Sequence, residues 1–214
     1  MMISPPAIAE QIDWSNFNSS VVIEVTRASG KFTCSGVAIA PKVILTAAHC
    51  LEGDVKEVRV FTQSSYAPGN PFIAAKKFEI HPDYNKSRSN YQADLAKIHL
   101  KDALPENINI VPIAKKLSDV KGRFLRLGFG ERNAMNTRTV ITPVYRSVNE
   151  VENVLELDDM YSYSGDSGGP VFAQYQGQFY LVAIHSTLSY GPEGKFSYNP
   201  LLPQHRNWVQ ASMN

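Results

Sequence analysis

Short runs with apolar residues at every second position recur along the chain, as at Val21-Ile23-Val25, Val37-Ile39, Val58-Val60, Leu125-Leu127-Phe129 and Phe179-Leu181-Ala183. A period of two sends successive side chains to opposite faces, so each run predicts a short strand. Clusters of Gly, Pro, Asn and Ser separate the runs, and no helical pattern alternates with them. The connections therefore read as hairpins and meanders, and the class as all-β, sandwich or barrel. One helix is expected near the end, from Pro203 onward, with proline in a first turn and Trp208, Val209 and Met213 spaced for one face. The polar stretch 102–121, containing Pro105, Asn107 and Lys115-Lys116, reads as a connection between two halves.

Composition narrows the function classes. The chain has 214 residues, enough for one large domain or two small lobes. With 21 basic against 20 acidic residues it carries no positive field to hold a phosphate backbone or an anionic lipid surface, so a nucleic-acid role is disfavoured. No apolar stretch reaches the roughly 18 to 20 residues of a membrane-spanning helix, the longest being broken by Pro41, Lys42 and Thr46, and no membrane role is expected. Cys34 and Cys50 carry no CxxC metal pattern and allow one bridge or two free thiols. Residues 1–9 lack a basic leader and an apolar stretch, yet Ala7-Ile8-Ala9 has the shape of a cleavage site; an exposed tail is the plainer reading. Asn18-Ser19-Ser20 and Asn85-Lys86-Ser87 are glycosylation acceptors if the source secretes through such a pathway.

The strongest chemical signal is Gly165-Asp166-Ser167-Gly168-Gly169-Pro170. Glycines on both sides of a serine let backbone N–H groups face a substrate oxygen without side-chain obstruction. Serine is a poor nucleophile without a general base, and the base needs a third group to fix its tautomer. Thr46-Ala47-Ala48-His49-Cys50 and Ala93-Asp94-Leu95-Ala96 supply a histidine and an aspartate beside apolar runs. A G-x-S-x-G pattern also marks the α/β-hydrolase elbow, where the order is Ser, then acid, then His. After Ser167 there is no aspartate, only Glu193 with His205 stands in that order, and strand–helix alternation is missing. The order His49, Asp94, Ser167 is that of the chymotrypsin-like serine proteases.

The sequence resembles the trypsin/chymotrypsin family of serine peptidases over most of its length. The likeness extends to Ser35-Gly36 after Cys34, Leu45-Thr46-Ala47-Ala48-His49-Cys50, His81-Pro82-Asp83-Tyr84-Asn85 and Leu127-Gly128-Phe129-Gly130. The resemblance implies a single peptidase domain over 1–214 made of two antiparallel six-stranded barrels, at about 15–105 and 120–214, with the active site in the cleft between them. It implies a Cys34–Cys50 bridge, Ser167 as nucleophile, His49 as general base, Asp94 as its orienting partner, and an oxyanion hole from the N–H groups of Gly165 and Ser167. The substrate would be a protein or peptide and the enzyme a secreted or periplasmic monomer, with no cofactor and no metal. The rivals are a catalytically silent binding protein of the same fold, and an esterase or lipase of another.

Departures from the family are informative. The start lacks the Ile-Val-Gly-Gly type of sequence whose freed ammonium pairs, in the family, with the aspartate before the nucleophile, here Asp166. A buried unpaired carboxylate is costly, so Asp166 is expected to pair with an interior arginine or lysine, or with a new N-terminus near Ala7 to Glu10. The scarcity of bridges resembles bacterial rather than animal members. The pocket-floor position, six residues before the nucleophile, holds Tyr161 instead of aspartate, which disfavours cleavage after Lys or Arg. Tyr161 filling the pocket would suit small residues, with Ser162 and Ser164 lining it. Ser186 matches the wall residue that pairs with substrate backbone. His185 matches the histidine by which glutamyl endopeptidases and related viral cysteine proteases read an acidic or amide side chain. A Glu or Gln preference is the reading favoured, against a packed core histidine. His81 falls in a turn motif, and His99 and His205 are expected at the surface.

Overall fold

The computed structural model describes residues 14–84, 91–130, 137–175, 177–192 and 194–211. The expected cleavage site at Ala7 to Ala9, a new N-terminus as far as Glu10, the sequon at Asn85 and the helical Met213 lie outside the described residues.

The first half holds β1 (Ser20–Arg27), β2 (Gly30–Ala40), β3 (Val43–Thr46), β4 (Val55–Phe61), β5 (Ile73–Ile80) and β6 (Ala96–Leu100). They close into a barrel in the order β1-β2-β3-β6-β5-β4, with β1 pairing both β2 and β4. Closure removes the free edges that an open sheet of these apolar strands would expose. The second half holds β7 (Arg123–Gly128), β8 (Thr139–Ile141), β9 (Val144–Asn149), β10 (Val154–Asp158), β11 (Pro170–Tyr175), β12 (Gln178–Ile184), β13 (Thr187–Gly191) and β14 (Gly194–Pro200). These form two four-stranded sheets, β12-β11-β7-β8 and β13-β14-β10-β9.

Each sheet carries half of two interrupted strands. β8 and β9 are separated only by Thr142-Pro143, where proline has no N–H to give the ladder, and β12 and β13 only by His185-Ser186. Tracing each pair as one bent strand passing between sheets gives six strands in a second barrel. All ladders among the described strands are antiparallel. The architecture is thus the chymotrypsin-like all-β fold with a short C-terminal helix.

One hydrophobic cluster runs from Val21, Ile23, Val37 and Ile44 of the first barrel through Leu125, Leu127, Phe172 and Leu181 of the second. Because apolar burial is continuous across the boundary, the two barrels pack as one body. Helix α1 (Leu202–Gln210) has proline in its first turn and buries Leu202 and Val209. Its C-terminal carbonyls are met by a buried cation of the first barrel. Lys97 Nζ donates to the carbonyls of Trp208 (3.0 Å) and Ala211 (2.7 Å) and lies 4.4 Å from the Trp208 ring centroid. A charge there satisfies orphan carbonyls and complements the helix dipole.

His99 and His205 are half-buried rather than surface residues. His99 contacts Glu79 at 3.2 Å, and His205 meets the buried His81 at 3.2 Å. His81 Nδ1 accepts the Asp83 N–H (3.2 Å), so its Nε2 donates to His205. Burial, with His205 and Lys97 alongside, pushes His81 down to about 4. No helix among the described residues is long and apolar enough to cross a membrane.

Lys97→Met keeps the apolar stem and removes the donor from two helix-end carbonyls. It is expected to lower the unfolding free energy by about 2 kcal/mol, read from urea denaturation; an unchanged midpoint would show that the clamp is idle.

Candidate active site

His49 sits in the 3-10 turn Ala48–Leu51 that follows β3, and Asp94 follows the 3-10 turn Tyr91–Ala93 that leads into β6. β3 and β6 are neighbours with Thr46 opposite Ala96, so the two turns emerge side by side from one edge of the barrel. Asp94 takes two hydrogen bonds from His49, one from the backbone N–H (2.9 Å) and one from ring Nδ1 (2.7 Å). Ser186 Oγ also donates to Asp94, a contact that sequence reasoning did not foresee. Burial favours the neutral carboxyl of Asp94, but the His49 and Ser186 bonds outweigh it and hold the group below the usual carboxylate range. Burial likewise disfavours the His49 imidazolium, and the Asp94 hydrogen bond and charge outweigh it, raising His49 above its ordinary value.

Cys34 and Cys50 are bonded to each other and tie β2 to the His49 turn. The sulfurs lie close to His49, but bonded sulfurs offer no thiolate to a metal.

Ser167 comes from the second barrel, in the turn before β11, and is fastened to the first by Ser35. The Ser35 N–H donates to the Ser167 carbonyl (2.7 Å) and the Ser35 hydroxyl to the Gly165 carbonyl (2.8 Å). Ser35 Oγ also accepts the Phe129 N–H (3.0 Å), and its carbonyl accepts Thr46 Oγ1 (2.8 Å). Gly168 allows this approach, since a Cβ there would fall 2.1 Å from Thr46 Oγ1 and 2.3 Å from the Ser35 carbonyl oxygen. Among the described residues, the N–H groups of Gly165 and Ser167 donate to no protein acceptor. The Ser167 hydroxyl donates to the Ser186 carbonyl at 3.4 Å, a long bond, and none joins it to His49 among the described residues. Hydrogen bonds between a serine and a base are commonly long in unliganded sites and tighten with substrate.

Asp166 finds the interior arginine that its burial requires. Arg126 Nη1 lies 3.1 Å from Asp166 Oδ2, both side chains being fully buried. Arg126 also makes a two-pronged contact with buried Asp159 through Nε and Nη2, and donates to the Tyr161 carbonyl (3.2 Å). The second Asp166 oxygen accepts the Gly130 N–H (2.8 Å), and Oδ2 also accepts the Tyr163 N–H (2.9 Å). The glycines of Leu127-Gly128-Phe129-Gly130 are required by this carboxylate: a Cβ at Gly128 or Gly130 would fall 2.1 or 2.7 Å from Asp166 Oδ1.

Of the expected pocket residues, Tyr161 is 62% exposed, so it does not fill a pocket floor. Ser164 is exposed on the same segment. Ser162 and His185 are buried together, with Ser162 Oγ 2.8 Å from His185 Nε2. The other ring nitrogen meets Asn199 Oδ1 (3.2 Å), while the Asn199 amide nitrogen donates to Leu155 O and to Ser197. That network fixes the tautomer: Nδ1–H donates to Asn199, and Nε2 accepts the Ser162 hydroxyl. Burial and the nearby Arg126 charge push His185 down to about 4, so the ring is neutral at pH 7. Arg126, Asp159 and Asn199 were not singled out from the sequence, and Ser35 was noted only as part of a motif.

The trypsin family profile matches residues 12–205. The chain is 24% identical to CLIP domain-containing serine protease B4 of Anopheles gambiae, over 88% of this chain and 62% of that protein. It is 25% identical to phenoloxidase-activating factor 3 of Holotrichia diomphalia, over 95% and 71%. It is 29% identical to vitamin K-dependent protein C of Rattus norvegicus, over 73% and 40%. The chain therefore spans less than two thirds of the mosquito and rat proteins. These relatives are insect and mammalian, so the expected likeness to bacterial members is not supported. The solved structure of HL collagenase matches at a TM-score of 0.72 with 20% identity, covering 95% of this chain and 96% of that one, which speaks to fold alone. Family profile, relatives and fold agree that this chain belongs to the trypsin family of serine proteases.

Proposed function

We propose that this chain is a serine endopeptidase that hydrolyses peptide bonds through an acyl-enzyme. The observation carrying the proposal is the doubly hydrogen-bonded His49–Asp94 pair, together with Ser167, whose own N–H and that of Gly165 donate to no protein acceptor among the described residues. His49 takes the Ser167 hydroxyl proton as Oγ attacks the scissile carbonyl, and Asp94 stabilises the imidazolium. The N–H groups of Gly165 and Ser167 receive the oxyanion, each such donor being worth about 3 kcal/mol of barrier. The imidazolium returns its proton to the leaving amine; water, activated by the same ring, then cleaves the ester and frees Ser167. The Arg126–Asp166 pair supports a Ser167 loop held from inside the protein rather than by a cleaved N-terminus.

The substrate is a protein or peptide, and the enzyme acts as a monomer in a single peptidase domain. Residue 161 is a tyrosine rather than a carboxylate, which supports cleavage other than after Lys or Arg; a preference for Glu or Gln is the reading kept. The Cys34–Cys50 bridge supports secretion, since disulfides persist in oxidising compartments. A catalytically silent binding protein of the same fold is the second reading, favoured by the Ser167 hydroxyl bonding to Ser186.

A fluorophosphonate probe is expected to label the protein at Ser167, with labelling abolished in Ser167→Ala; failure of the native protein to label would favour the silent reading. The base must be neutral to act, and His49 is raised above 6.5. The labelling rate is therefore expected to fall on acidification with its midpoint above pH 6.5, whereas a midpoint at or below 6.5 contradicts the Asp94 coupling.

A further inference from the structure

The segments on either side of the Ser162–His185 pair end in exposed tyrosines, Tyr163 on one and Tyr190 of β13 on the other. Lys195 in β14 pairs with Tyr190 across the hairpin and spans the gap between them. Its ammonium donates to the Ser162 carbonyl at 3.0 Å and lies 4.9 Å from the Tyr163 ring centroid and 5.6 Å from that of Tyr190. The backbone is pinned at both ends, the N–H by Met160 Sδ (3.3 Å) and the carbonyl by the Asp159 N–H (3.0 Å).

Among the described residues, the nearby aspartates are committed elsewhere. Asp159 and Asp166 pair with Arg126, and Asp158 with Arg146 at 3.1 Å. Among the described residues no carboxylate lies within ion-pair distance of Lys195. An ammonium carries three donors, and the Ser162 carbonyl and two ring faces leave capacity for an anion.

His185 cannot supply that charge. It is neutral, both nitrogens are engaged, and it takes the only hydrogen of the Ser162 hydroxyl, so this pair offers lone pairs rather than a donor. A substrate carboxylate therefore needs another donor, and Lys195 is the cation bonded to the same Ser162.

We propose that Lys195 is a specificity-determining residue of the primary substrate pocket, held by Tyr163 and Tyr190, and that it selects peptides with a carboxylate side chain immediately before the scissile bond. This rests on the endopeptidase reading above and identifies the group that reads the substrate.

The test compares hydrolysis of Ala-Ala-Pro-Glu and Ala-Ala-Pro-Gln fluorogenic peptides, matched in all but charge, with binding of the corresponding free-acid peptides to Ser167→Ala by calorimetry. The native chain is expected to favour Glu over Gln by about tenfold or more. Lys195→Met should bring the ratio close to one, and Lys195→Arg should retain it. The preference should also weaken at high salt. Equal handling of the two peptides by the native chain, or an undiminished Glu preference in Lys195→Met, would overturn the proposal. If the chain neither labels with fluorophosphonate nor turns over, the endopeptidase reading fails by itself, and the calorimetric Glu-to-Gln ratio in Ser167→Ala and Ser167→Ala/Lys195→Met still decides the role of Lys195.

Discussion

The site depends on one buried cation. Arg126 lies with no exposed surface between Asp159 and Asp166, themselves fully buried, and reaches the Tyr161 carbonyl as well. One guanidinium meets both carboxylates, and the Gly130 and Tyr163 N–H groups donate to Asp166 as well. Removing one member of such a network exposes the others to the full cost of burial, about 3–5 kcal/mol. The geometry ties strand β7 to the residues before Ser167, so the position of the Ser167 loop follows from a charge requirement rather than from loop packing alone.

A second constraint comes from the other barrel. Ser35 satisfies four bonding groups at once, two of them on the Ser167 loop, and Thr46 and the bare face of Gly168 let the backbones come close. The His49 turn is held by the disulfide and by Asp94. Histidine and aspartate thus belong to the first barrel and serine to the second, with the continuous apolar core between the barrels fixing their separation.

The legible parts of the sequence were those with a local signature. Strands such as Val21–Val25 and Phe179–Ala183 show period-two spacing, and His49, Asp94 and Ser167 each sit in a short motif whose order alone separates two hydrolase classes. Arg126 was illegible because a cation in an alternating strand reads as a solvent-facing position, while here both faces of β7 are covered. His205 resembled a surface residue for a similar reason: nothing local reveals that the terminal helix closes over His81. The bent strands escaped because Thr142-Pro143 reads as a loop, and Lys195 because its neighbours, Ser162, Tyr163 and Tyr190, converge only in the folded chain. The inference from missing bridges to bacterial kinship is not supported by the insect and mammalian relatives, because cysteine count reports on stabilisation, not descent.

Arg126, through its ion pair with Asp166, fixes the position of the Ser167 loop. The most direct measurement is the rate of fluorophosphonate labelling of Arg126→Lys, which keeps a positive charge but loses the two-pronged fork, at a temperature where circular dichroism shows it folded. Labelling is expected to be slower than that of the native protein by about a hundredfold, the loss typical of a misplaced oxyanion donor. Labelling at the native rate in the folded variant would contradict it.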